Sequence, residues 1–177
     1  YNGLDFTPRT PSMDRATFFR SVGLDADDTC VVAGIAARLN PVKDIATLIR
    51  GFAKAHAEYP PLRLLIAGDG EEMESLKKLA ADLGVAKEVC FAGWVSDTDS
   101  FYHALDINTL TSISETFPYV LTEGARAGLP TISSKVGGVS YLIDHGANGF
   151  LFPPGDDRAL ANHLLTLARD PALRKAM

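Results

Sequence analysis

The sequence predicts a doubly wound α/β domain built on a six-stranded parallel sheet. Three observations carry this. Short strand-like runs of four to seven residues recur six times along the 177 residues. Helical segments separate them, so β and α alternate. Most of the runs are continuously apolar, as strands covered on both faces must be. The length allows one domain. Composition is that of an ordinary globular chain, 46% hydrophobic and 22% charged, which excludes disordered and low-complexity classes. A net charge of −5 argues against a broad basic surface for nucleic acid but leaves room for a local cationic pocket.

In order, residues 1–12 are rich in Gly, Pro, Thr and Asn and read as a linker. SMDRATFFRSVG (12–23) reads as a helix capped by Ser12 and ended by Gly23. CVVAGIA (30–36) is the first strand, and DIATLIRGFAKAHAEY (44–59) is a helix stopped by Pro60–Pro61. LRLLIAG (62–68) is followed by the helix EMESLKKLAADLG (72–84). EVCFAG (88–93) precedes a short helix, DSFYHAL (99–105). DINTLTS (106–112) leads to the helix PYVLTEGARAG (118–128). LPTISS (129–134) is paired with a helix over 139–146, and GFLF (149–152) with a helix over 156–170. Right-handed crossovers give the strand order 3-2-1-4-5-6. Residues 1–28 are thus a linker and leading helix, and 29–177 the domain proper.

Cys30 and Cys90 lie in apolar runs and read as reduced core residues, with no zinc or disulfide spacing. The opening residues YNGLDFTPRT do not read as a signal peptide, and no run reaches the ~18–20 apolar residues that span a bilayer. A cytoplasmic location is the expectation. The first residue is Tyr, and a fragment of a longer protein is expected.

In a sheet of this kind ligands bind beyond the carboxyl ends of the strands. After the first strand, Arg38 and Lys43 sit on a loop that opens a helix, where dipole and free amides already favour an anion. Two solvated surface cations would read the same way. The loop lacks G-x-G-x-x-G, which counts against a nicotinamide dehydrogenase. GDGEE (68–72) reads as a glycine turn and an acidic helix start. Trp94 can stack on a planar base, and the Val95 backbone can bond its edge; an ordinary loop aromatic is the alternative. The fourth strand end is the richest. Glu115 lies in the loop, Pro118 suits a first helical position, and Glu123 follows a turn later. Amides near Tyr119 and Val120 can hold a phosphate, and the two carboxylates suit sugar diols. Gly137–Gly138 lets backbone approach closely after the fifth strand, where Lys135 faces either phosphate or solvent.

Together these segments resemble the carboxyl-terminal, donor-binding half of the group 1 glycosyltransferases, the retaining family four with the GT-B fold. The segments that carry the resemblance are YNGLDF, GIAARLNPVKDIATLIRGF, LLIAGDGEE, VCFAGWVSD, SETFPYVLTEGARAGLPTISSKVGG and NGFLFPPGD. Glu115 and Glu123, with seven residues between them, are the most specific element. The resemblance implies a Rossmann-like domain, one half of a GT-B enzyme. It implies that Arg38 and Lys43 hold the diphosphate of a nucleotide-sugar and steady its departing charge. Val95 and Trp94 would meet the base. Glu115 would bond donor-sugar hydroxyls and is counted with the two cations as catalytic. Phe117, Pro118, Tyr119 and Val120 would line sugar and phosphate, and Glu123 would take the ribose hydroxyls. No metal or other cofactor is implied.

The sequence departs from the family pattern at three places. Asp44 stands where Gly often follows the lysine, EGARAG replaces EAMA-like text, and Tyr141 stands in place of an acid. The amino-terminal acceptor domain of such enzymes would be the missing partner, so this half alone is expected to bind donor without turnover. A nucleotide-sugar epimerase or phosphorylase of similar architecture is the enzymatic alternative. A non-catalytic nucleotide-binding module is the other; a phospho-receiver would need acids at the first and third strand ends, which read GIAARL and FAGWV.

Overall fold

The computed structural model describes residues 7–177. The YNGLDF segment and half of the expected linker lie outside the described residues. Six strands form one parallel sheet: β1 (Val31–Ala36), β2 (Leu62–Ala67), β3 (Val89–Gly93), β4 (Ile107–Leu110), β5 (Thr131–Ser134) and β6 (Gly149–Phe152). Their order is β3-β2-β1-β4-β5-β6, as the sequence predicts. β1 and β2 pair in register over six residues, from Val31 opposite Leu62 to Ala36 opposite Ala67. β1 also pairs with β4, so chain direction through the sheet reverses at β1 and a crevice opens there.

The helices are α1 (Arg15–Val22), α2 (Ile45–Glu58), α3 (Met73–Asp82), α4 (Thr98–Ala104), α5 (Tyr119–Arg126), α6 (Asp157–Arg169) and α7 (Pro171–Ala176). One face of the sheet is covered by α2, α3 and α6, whose Leu48, Phe52, Leu76, Leu160 and Leu164 are buried with Ile35, Leu64 and Ile66. On the other face Phe18 and Phe19 of α1 pack with Phe101 and Tyr102 of α4 over Val32 and Leu65. Arg15 ties α1 to the sheet through Asp106, at 2.9 Å, while the Asp106 carboxylate also accepts from Val32 N–H.

Four details differ from the sequence expectation. Asp14, not Ser12, caps α1, because its carboxylate reaches Thr17 N–H at 2.8 Å. Ser12 instead bonds Asp97 and Ser100, which begins to fix the leading segment on α4. Pro118 is the N-cap of α5 with an extended backbone, so the helix starts one residue later than expected. A 3₁₀ turn over Gly137–Tyr141 replaces the helix expected at 139–146. There Asn148 holds both Asp144 N–H and the Leu142 carbonyl, folding the segment back into β6 instead of letting it propagate as a helix. The end of the chain adds α7, capped by Asp170.

β4 and β5 carry polar side chains into the core: Asn108, Thr109, Ser133 and Ser134 are all fully buried. Thr109 bonds the Gly34 carbonyl and Ser134 the Ser112 carbonyl, so these hydroxyls stitch strand to strand or to a neighbouring loop. Both cysteines are free thiols; burial pushes Cys90 up to about 11, which keeps it protonated and unreactive.

At the β6 edge, His163 of α6 stacks on Phe150 with ring centroids 4.7 Å apart, and His145 lies 5.7 Å away. Burial first, then the neighbouring His145, lowers the affinity of His163 for a proton. The unfolded chain therefore takes that proton at a higher pH than the fold does. Stability from this site is complete above the ordinary histidine value of 6.5 and is lost as pH falls through and below it. Urea melts should show stability declining from pH 7.5 to 5.5, and His163→Phe, which keeps the stack, should flatten that decline.

Candidate functional site

The loops that follow β1 to β5 gather at the carboxyl edge of the sheet, and main-chain bonds join them. Leu39 N–H donates to the Asp69 carbonyl at 2.9 Å, and Glu72 N–H to the Leu39 carbonyl at 3.0 Å. Ile113 N–H reaches the Val42 carbonyl at 2.9 Å, and Thr111 hydroxyl the Lys43 carbonyl at 2.8 Å. Glycines permit this closeness. A Cβ on Gly68 (φ +130°) would fall 1.8 Å from the Ala37 carbonyl oxygen. One on Gly137 (φ +49°) would fall 1.8 Å from that of Glu115. No side chain fits either position without moving backbone.

A cleft of about 900 Å³ opens beyond β1, β2 and β3. Arg38 lines it from the first loop, and Trp94, Val95 and Ser96 from the third. Trp94 is 83% exposed, a large planar surface offered to the cleft rather than to the core. Asp97 ends this loop by capping α4 at Ser100 N–H. Hydrogen bonds from Ser12 and Ser100 hold its carboxyl below the ordinary carboxylate range. Asp69 and Glu71 also line the cleft, although GDGEE reads from sequence as an ordinary turn. Their signal was position alone, at a strand end.

Lys43 and Glu115 meet across 72 residues. Lys43 Nζ lies 2.5 Å from Glu115 Oε1, and Ser112 Oγ donates to the same oxygen at 2.7 Å. The lysine is placed by Asn40, whose side chain accepts from Lys43 N–H at the start of a 3₁₀ turn, Pro41–Lys43. Asp44 then adopts φ +45°, the left-handed conformation that explains why glycine suits this position, and its carboxylate accepts from the Thr47 hydroxyl. Glu115 is one-tenth exposed at its side chain. An ammonium has three donors, so Lys43 keeps two for another acceptor while holding the carboxylate still.

Glu115 and Glu123 flank the start of α5. Between them Phe117 and Tyr119 are exposed and stack edge to face at 5.2 Å, Pro118 is buried, and the Val120 carbonyl accepts from Asn108 at 3.0 Å. The first-turn amides of α5 open at the same edge. Glu123 is part-exposed and accepts from Arg126 at 3.0 Å. Lys135 is exposed, and Tyr141 is 93% exposed beside Gly138. The site thus has three parts. Arg38, Trp94 and Val95 share the cleft, Lys43 and Glu115 form one ion pair, and Glu123 belongs to a separate pair on α5. Among the described residues no three His, Cys, Asp or Glu side chains come together as a metal site. None of the helices is long and apolar enough to cross a membrane among those residues.

The fold is that of one Rossmann-like half of a GT-B protein. Residues 15–177 match the family described as glycosyl transferases group 1, and the chain belongs to that family. It is 34% identical over 168 residues to the lipopolysaccharide core biosynthesis glycosyltransferase LpsE of Rhizobium meliloti, covering 95% of this chain and 46% of LpsE. It also resembles the crystal structure of Anabaena Alr3699/HepE in complex with UDP and glucose. There the identity is 30%, the TM-score 0.87, and the match covers 99% of this chain and 48% of the other. The C-terminal domain of a group 1 family protein (LpcC) from Francisella tularensis shares the fold, with TM-score 0.85, 23% identity, and coverage of 98% and 92%. The chain spans under half the length of LpsE and of HepE.

Two substitutions test how the edge is held. Gly137→Ala should lower stability by at least about 2 kcal/mol, since left-handed backbone and a clash with a carbonyl act together; chemical denaturation measures it. Lys43→Met strands a mostly buried carboxylate and should cost about 1–2 kcal/mol after solvent screening. Adding Glu115→Gln should restore part of that loss in a double-mutant cycle.

Proposed function

We propose that this chain is the donor-nucleotide half of a retaining glycosyltransferase, one that transfers a glycosyl group from a nucleoside-diphosphate sugar to an acceptor hydroxyl. The observation that carries the reading is the cleft beyond β1, β2 and β3, which a cation, Arg38, and the exposed indole of Trp94 line together. Related proteins support it: HepE was crystallised with UDP and with UDP-glucose.

In this reading the base lies against Trp94 and meets the Val95 backbone. The diphosphate lies between Arg38 and Lys43, near the first turn of α5. Arg38 can grip two oxygens and Lys43 adds a point charge, so both oppose the negative charge that grows as the diphosphate departs. Glu115 uses Oε1 to hold Lys43, and its other oxygen accepts from sugar hydroxyls. Phe117, Pro118, Tyr119 and Val120 shape the wall where sugar joins phosphate. Glu123 takes the ribose diol. The acceptor site belongs to an amino-terminal partner domain, a proposal supported by the fraction of each relative that the chain spans. The donor half alone binds and does not turn over.

A thermal-shift panel of UDP, GDP, ADP, their sugars and NAD tests the reading. A nucleoside diphosphate at about 100 times its Kd should stabilise the chain by about 2.7 kcal/mol, and NAD should not. Arg38→Ala removes a charge-assisted contact of about 2–3 kcal/mol and should weaken that ligand about 30- to 150-fold by calorimetry. Stabilisation by NAD alone, or by none of the panel, would sink the assignment. Product analysis of the full-length protein then separates transfer from epimerisation and phosphorolysis.

A further inference from the structure

The last turn of α5 holds a withdrawn arginine. Arg126 is only 10% exposed at its side chain. Its Nη2 donates to Glu123 Oε1 at 3.0 Å, while Nε and Nη1 are buried without a hydrogen-bond partner. A helix pair three residues apart normally lies in solvent and adds little. Burying a guanidinium with two donors unmatched is unfavourable, so helix support alone does not account for it. Helical side chains lean toward the N-terminus, which carries Arg126 back under Glu123. Burial first, and then the Glu123 charge, push the Tyr102 phenol of α4 up. Glu123, by contrast, is 31% exposed, so the carboxylate faces out with the guanidinium behind it.

Resting on the donor-binding reading above, we propose that Arg126 is a positioning residue. It fixes the Glu123 carboxylate so that Oε2 and the outer side of Oε1 face the vicinal hydroxyls of the nucleotide ribose. Its contribution is to discrimination between ribose and deoxyribose. Because one carboxylate oxygen is already anchored, Glu123 gives up little rotational freedom when the diol arrives.

The test is calorimetric titration of the whole chain and its variants with UDP and with 2′,3′-dideoxy-UDP, or with the GDP or ADP pair if the panel selects that base. The parent should prefer the ribonucleotide. Arg126→Met should weaken the ribonucleotide about tenfold and shift the dideoxy analogue by less than twofold, narrowing the preference. Its thermal midpoint should equal or exceed that of the parent, since two unmatched buried donors are gone. Arg126→Lys should recover part of the preference. Glu123→Gln should narrow it as well, and adding Arg126→Met to Glu123→Gln should narrow it no further. Should Arg126→Met fail to fold, Arg126→Lys and Glu123→Gln read the same ratio. A preference unchanged in these variants, or equal losses for both nucleotides, overturns the role of Arg126 and leaves the donor site standing. A parent that binds none of the diphosphates overturns the donor reading itself, and this inference with it.

Discussion

Main-chain hydrogen bonds between neighbouring loops hold the carboxyl edge of the sheet together, and the site depends on them. A parallel sheet delivers every strand end to one edge, but it does not fix the loops that follow. Here the β1 loop is bonded to the β2 loop at Leu39, Asp69 and Glu72, and to the β4 loop at Val42 and Ile113. Each bond matches a backbone group that would otherwise be left to solvent or buried unpaired. The result is a rigid rim that presents Arg38, Trp94 and Glu115 without needing those side chains to hold one another.

Charge is arranged along that rim in graded depth. Arg38 and Trp94 are exposed and face the open cleft. Lys43 and Glu115 are mostly withdrawn and matched to each other. Arg126 is as withdrawn as Glu115, with the more exposed Glu123 in front of it. Exposed groups can exchange water for ligand at low cost, whereas withdrawn pairs act in a medium where electrostatic effects are larger. Such a gradient suits a ligand with a planar end, a doubly charged middle and hydroxylated flanks.

The sheet was legible because β1, β2 and β3 are apolar runs between helices of clear period, and because crossover handedness leaves few topologies. β4 and β5 were found by spacing despite Asn108, Thr109, Ser133 and Ser134, whose burial depends on partners from other strands and loops. The segment after β5 departs from its local pattern: VSYLIDHG has helical spacing, yet Asn148 closes a turn that only the folded chain brings within reach. Asp14 takes the cap because α1 begins at Arg15, while Ser12 bonds Asp97, 85 residues away. At the site, strand-end position pointed to Arg38, Lys43, Glu115 and Glu123. The union of Lys43 with Glu115 was not legible, since nothing local links residues so far apart. Nothing in the sequence around Arg126 marks it, and only burial sets it apart.

The contact between Gly137 and the Glu115 carbonyl has a consequence for how such a protein can diverge. The stretch that follows the fourth strand and the stretch that follows the fifth are in backbone contact, so neither can be remodelled alone. A graft that transplants only the first from a homologue brings a new main-chain path against an old neighbour. Swapping both together keeps their fit, which makes the two segments one inherited cassette.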